Sequence, residues 1–131
     1  MEKKNELWIA IGSDTLTGVV THYKHINIIQ IAGIISEDDG YFTNVILAAI
    51  HQDCLFVELD VCEMAFFNDT VNEYAIDCLM KLIAYIVNNR KQLTITISDK
   101  YVNDILLNVI GVKFKKFVKI TYDQTRVAAV L

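Results

Sequence analysis

The sequence predicts an α/β fold, a single domain in which helices pack on a mixed β-sheet, and three observations carry that prediction. Leu55, Val57 and Leu59 alternate with Phe56, Glu58 and Asp60, the period of two that marks a strand. Downstream, Val71, Ala75, Cys78, Leu82 and Ile86 recur at spacings of three and four, so they line one side of a long helix. The two patterns then keep alternating, and strands separated by helices need crossover connections, which make neighbours parallel. With 131 residues, 53% of them hydrophobic, the chain has enough apolar surface for one core.

In chain order, Leu7–Ile11 is a first strand, Gly12-Ser13-Asp14 a turn, and Val19–Tyr23 a second extended run. Ile26–Ile35 is strongly β-forming and stops at Ser36-Glu37-Asp38-Asp39-Gly40. Carboxylates in that cluster face the positive end of a helix expected from Tyr41 to Gln52, with Phe42, Val45, Ile46 and Ala49 inward. The strand Leu55–Asp60 leads through the loop Phe66–Asp69 to the long helix Val71–Asn88. A strand Gln92–Ser98 follows, then a helix Asp99–Ile110 whose stripe is Val102, Ile105, Leu106, Val109 and Ile110, stopped by Gly111. A strand Phe114–Thr121 and a short helical tail from Asp123 close the domain, which spans 1–131 with its N-terminal strands in 1–25. Proline is absent, and no repeat or linker divides the chain.

Composition excludes several classes of function. A formal charge of −4 and a pI near 5.2 leave no basic footprint, so nucleic acid is not an expected partner. The lysines near the C-terminus read as a solvated edge, because alternation puts Lys113, Lys115 and Lys119 on one face of a strand and Lys116 with Phe114 on the other. The charged opening Met1–Glu6 lacks the apolar stretch of a signal peptide, and no segment approaches the ~20 apolar residues of a transmembrane helix. A soluble, cytoplasmic protein with no transmembrane segment is the expectation.

Cys54, Cys62 and Cys78 are odd in number and lie on apolar elements, which suits reduced, buried thiols. His22 and His25 point to opposite faces of an extended strand, and His51 with Cys54 makes at most half a metal site, so no metal is expected. There is no G-x-S-x-G, P-loop or dinucleotide glycine pattern, so the chain reads as non-enzymatic, with no catalytic residue and no cofactor. Asp60, Glu63 and Asp69 read as solvated carboxylates around a loop. A small-ligand pocket at the carboxyl ends of the strands stays open as an alternative, because open sheets bind ligands there.

Four stretches resemble a known family. V-E-L-D-V before the loop, the later L-T-I-T-I-S, the helix D-K-Y-V-N-D-I-L-L-N-V-I-G with a lysine-rich strand after it, and the earlier I-I-Q-I-A-G-I-I-S are together similar to a STAS domain. That is the fold of anti-sigma factor antagonists, stressosome subunits and sulfate-transporter tails, and the likeness runs from Ile26 to the C-terminus. It implies a bacterial signalling domain acting in transcription regulation, with a protein partner of the anti-sigma-type serine/threonine kinase class. In the family the loop after the central strand reads Asp-Ser-Ser-Gly, and a hydroxyl there is phosphorylated by the kinase. Here Asn68-Asp69-Thr70-Val71 stands in its place, closer to the Asp-Thr version of stressosome members and without the glycine. The resemblance thus makes Thr70 the phosphorylation candidate and Asn68, Asp69, Thr70, Asn72 and Glu73 the partner-binding residues. A phosphorylation-silent structural adaptor that assembles with itself or a scaffold is the alternative.

Two local readings remain. Thr70-Val71-Asn72-Glu73 fits a capping box, in which the threonine hydroxyl accepts from the third helical N–H and the glutamate reaches back, a cap worth about 1 kcal/mol. A phosphate on Thr70 would use the same helix end, with Asp69 and Glu73 opposing it. The long helix also carries a second apolar stripe, Ile76, Met80, Ile83 and Val87, at roughly 120–180° from Val71. One sheet cannot cover both stripes. Ile76, Met80 and Ile83 are therefore expected against a second subunit or a partner, unless the helix before them or the segment around Trp8 folds over.

Overall fold

A computed structural model describes residues 5–10, 16–36, 42–50, 53–68, 70–110 and 115–125. Six strands form one sheet: β1 (Asn5–Ala10), β2 (Leu16–Tyr23), β3 (Ile26–Gly33), β4 (Phe56–Met64), β7 (Gln92–Ile97) and β8 (Val118–Tyr122), side by side in that order. Two further strands, β5 (Phe67–Asn68) and β6 (Thr70–Val71), make a separate minimal hairpin. The helices are α1 (Phe42–Ala49), α2 (Glu73–Asn88) and α3 (Lys100–Ile110). β1, β2 and β3 pair antiparallel, with β2 and β3 joined by the short turn Lys24-His25, in which Lys24 takes a φ of 54°. β3, β4, β7 and β8 run parallel, each step bridged by one helix, so the sheet is mixed as the element order predicts.

Crossovers between parallel strands are right-handed, and these three all step the same way across the sheet, which puts α1, α2 and α3 on one face. Burial follows that rule. Val57 and Leu59 of β4 and Leu93, Ile95 and Ile97 of β7 are sealed, while Phe56, Glu58 and Gln92, one residue out of phase, are exposed. α2 spans the middle of this face and presents Ala75, Leu79, Leu82 and Ile86, none of them reached by solvent, to the sheet. Thr43 Oγ1 donates to Cys78 Sγ at 3.1 Å, which ties α1 to one flank of α2. Burial of each aliphatic side chain in such a layer contributes about 1.5–3 kcal/mol.

Several boundaries differ from the sequence reading. β4 continues past Asp60 to Met64 through a register shift opposite Gln30 and Ala32, where the Cys62 N–H donates to Asp60 Oδ1 at 3.0 Å. The strand expected at Phe114 starts only at Val118, because Lys115–Phe117 form a turn; Phe114, Lys113 and Gly111 lie outside the described residues. The acidic cluster from Glu37, His51 and the tail beyond Thr125 lie outside them too. Val45 of α1 and Val109 of α3 are exposed rather than inward. Phe42 with Ile46, and Val102 with Leu106 and Ile110, already fill the narrow contact line of each short helix. No helix of the described residues is long and apolar enough to cross a membrane.

The approach of α1 to the sheet depends on Gly18. A Cβ there would stand 2.8 Å from Phe42 Cζ and 3.0 Å from Ile46 Cδ1, both on fully buried side chains with no room to withdraw. Gly18→Ala should therefore lower stability by about 1–3 kcal/mol, read from the urea midpoint, and Gly18→Val by more. An unchanged midpoint would show that α1 can slide off β2.

Candidate functional site

The carboxyl ends of the parallel strands gather the helix N-termini, and there β4 runs on into the hairpin that precedes α2. The Ala65 N–H donates to the Gly33 carbonyl at 2.9 Å, so β3 and β4 stay together to their ends. Phe66 is buried, and the hairpin turns the chain through the pairs Phe67↔Val71 and Asn68↔Thr70. The Asn72 N–H then closes the excursion on the Phe66 carbonyl at 2.8 Å. This geometry leaves Thr70 exposed on the second arm of the hairpin.

The expected capping box does not form. α2 starts at Glu73, and its N-cap is Asn72, extended at φ −82° and ψ 95°, with Oδ1 accepting from the Ala75 N–H at 3.2 Å. Thr70 lies in β6, two positions too early, so its hydroxyl has no part in capping, and Val71 is a strand residue rather than the first of the helical stripe. The choice of asparagine has a physical reason. Its amide carries donors as well as an acceptor, and Nδ2 donates to the Ile35 carbonyl at 2.8 Å. One side chain thus caps α2 and pins it to the segment after β3.

An open cavity of 670 Å³ lies at this junction, walled by Ile35, Ser36, Thr70, Asn72, Glu73 and Tyr74 among others. Thr70, Asn72 and Glu73 all line it. Asp69 lies outside the described residues, and Asn68 is placed by its backbone pairing alone. The second stripe of α2 is divided. Ile83 is only 7% exposed and belongs with Val87 to the core, which corrects its assignment as a partner-binding residue; Ile76 and Met80 are half-buried against the same core. Because α2 lies between α1 and α3 on one face, its flanks as well as its centre need apolar residues.

Aromatic residues complete the surface, and the sequence reading missed them. Phe67 and Tyr101 are 46% and 49% exposed, yet their rings meet edge to face with centroids 5.6 Å apart and an interplanar angle of 62°. Tyr101 is held there because Asp99 Oδ1 caps α3 through the Val102 N–H at 2.9 Å, and Ser98 Oγ donates to the Cys62 carbonyl at 2.8 Å. Tyr74, on the first turn of α2, is half exposed. Spacing along the chain could not pair Phe67 with Tyr101, but a doubled Phe66-Phe67 in a loop was a visible signal. Only one of the two can turn inward.

The remaining chemistry-bearing residues are structural. Cys54, Cys62 and Cys78 are free and buried, and burial raises the Cys54 and Cys78 thiols above their ordinary range despite their hydrogen bonds to Phe56 and Thr43. His22 Nε2 contacts the Ala49 carbonyl at 2.8 Å, while His25 is exposed. Lys91 is buried and donates to the Cys54 carbonyl. Among the described residues no group of three or more His, Cys, Asp or Glu could hold a metal ion. What the site offers is a hydroxyl, a carboxylate and the Tyr74 ring around a hollow, with the Phe67–Tyr101 pair exposed on the hairpin and α3.

No family model matches the chain, and no curated protein matches it. Among solved structures it is similar to the crystal structure of an anti-sigma factor antagonist from Mycobacterium paratuberculosis, with a TM-score of 0.55 and 13% identity. The match covers 88% of this chain and 94% of that one. The likeness is one of fold: the chain is a STAS-like α/β domain, as the segments from Ile26 onward implied.

The reassigned cap is testable. Asn72→Ala should cost about 1–2 kcal/mol in urea unfolding, because it removes both the cap and the tie to Ile35. Thr70→Ala should change stability by less than about 0.5 kcal/mol. The opposite ranking would return the cap to Thr70.

Proposed function

We propose that this chain is a non-enzymatic, protein-binding signalling domain, working as an anti-sigma factor antagonist or stressosome-type subunit in a cytoplasmic bacterial pathway that regulates transcription. Its switch is phosphorylation of Thr70. The observation that carries this reading is the placement of Thr70: exposed on the hairpin beside the start of α2, with capping left to Asn72. Thr70 is also the only serine or threonine between Cys54 and Lys91. The partner is a serine/threonine kinase of the anti-sigma type, which transfers the terminal phosphoryl group of ATP to Thr70 Oγ1, releasing ADP and the hydroxyl proton.

Such a phosphate adds about −1.5 to −2 charge. Glu73, in the first turn of α2, repels it, so it projects toward the partner more than it settles on the helix end. The docking surface comprises the hairpin (Asn68, Asp69, Thr70), the helix start (Asn72, Glu73) and the half-buried Ile76 and Met80. Phe67, Tyr101 and Tyr74 supply aromatic anchors, the residue type that dominates interface energetics.

Incubation with the cognate kinase and ATP should place one phosphate on Thr70, seen by intact mass and peptide mapping, and Thr70→Ala should abolish it. Thr70→Asp should weaken kinase binding without lowering the melting temperature. Phe67→Ala and Tyr101→Ala should each weaken binding by about 10-fold or more. If every co-encoded kinase leaves the mass unchanged, the switch fails and the silent adaptor is the reading that survives.

A further inference from the structure

The face of the sheet opposite the helices carries two hollows of opposite sign. Strand register lays residues across it in rows, Ile26–Phe56–Gln92, then Ile28–Glu58–Thr94–Lys119, then Gln30–Asp60–Thr96–Thr121. At the amino ends of β4 and β7 lies a hollow of 380 Å³. Lys115, Lys116 and Lys119 line it, with Phe56 and Phe117 exposed beside them and Glu58 as the one carboxylate among the described residues. Toward the carboxyl ends of β3 and β4 lies a second hollow of 190 Å³, lined by Asp60 and Glu63 with Thr17, Val19, Gln30 and Ala32. Among the described residues the first is net positive, in a chain of formal charge −4, and no lysine or arginine lines the second.

Their placement is diagonal. The centres are two strand spacings apart across the sheet, about 10 Å, and about four residues apart along it, roughly 13 Å. Take a two-fold axis lying between two such faces and perpendicular to that diagonal. It sets the acidic hollow of each copy over the basic hollow of the other, and one operation makes both contacts, which is the property of an isologous interface. The strands of the two sheets then cross steeply, nearer the orthogonal than the aligned class of sheet packing. Between the hollows lie the half-buried Ile28 and the uncharged Thr94 and Thr96, with Glu58 and Asp60 of β4 bringing carboxylates to the middle of the contact.

We propose that this open face is a homodimer interface, in which the Asp60–Glu63 hollow of each copy receives the Lys115, Lys116 and Lys119 rim of its mate. The contact lies on the sheet face away from α2, and so stands apart from the Thr70 reading. The flat footprint, about 19 Å by 20 Å over five strands, is small for a permanent dimer, so the association is weak and depends on its charges. Salt is then the first lever, since the screening length falls from about 10 Å at 0.1 M to about 3 Å at 1 M.

Sedimentation of the full chain up to about 1 mM should show a concentration-dependent dimer at low salt, with a dissociation constant at least about tenfold higher in 1 M salt. The double variant Lys115→Glu, Lys116→Glu and the double variant Thr17→Lys, Glu63→Lys change exposed residues only and should keep the melting temperature. Each alone should be monomeric. Mixed, they should form a heterodimer, because each then presents what the other lacks. A wild type that stays monomeric overturns the proposal; so does a dimer that both variants leave intact. Variants that weaken association but do not recombine overturn the reciprocal arrangement.

Discussion

Handedness governs this molecule. A parallel pair of strands cannot be closed by a tight turn, so β3, β4, β7 and β8 are linked through helices, and each crossover must turn to the right. Three such steps in one direction leave no choice about where α1, α2 and α3 go. They share one face, which makes that face dry and the opposite one wet, and β7 and the first half of β4 alternate accordingly. The same constraint stacks the starts of α2 and α3 at one end of the sheet, which is why Phe67 and Tyr101 are neighbours there despite their separation in sequence.

Within that frame the position of α2 rests on Asn72. A helix start leaves N–H groups unpaired, and a threonine cap would satisfy one and stop there. The asparagine satisfies one and reaches the Ile35 carbonyl as well, so the helix end is registered against the chain leaving β3. The hairpin between Phe67 and Val71 becomes a small projecting unit on a fixed base.

Much of this was legible before any coordinates, and what was not has definite causes. The strands around Val57, Ile29 and Ile95 and the long helix announce themselves by period, because one-sided burial writes the period into the sequence. The start of α2 was ambiguous, since Thr70-x-x-Glu73 and Asn72 both look like caps. The deciding bond joins Asn72 to Ile35 across 37 residues and leaves no local trace. Ile83 and Val87 looked like a spare stripe because a helix was pictured on a sheet with one neighbour. A helix in the middle of a row of three needs apolar flanks on both sides. The lysines near the C-terminus looked like a solvated strand edge, whereas Lys115 and Lys116 sit in a turn, and only strand register shows how far the acidic residues lie from them.

The three cysteines carry a last consequence. Cys54 leads into β4, Cys62 sits at its register shift and Cys78 faces α1 from α2, and all are sealed from solvent, with burial holding the Cys54 and Cys78 thiols in the neutral form. An alkylating reagent reaches such a thiol only when its surroundings open, so the labelling rate of each becomes a clock for one local opening. Three clocks built into one chain, at the entry to β4, at its register shift and on the central helix, report whether the domain breathes in pieces or comes apart as a whole.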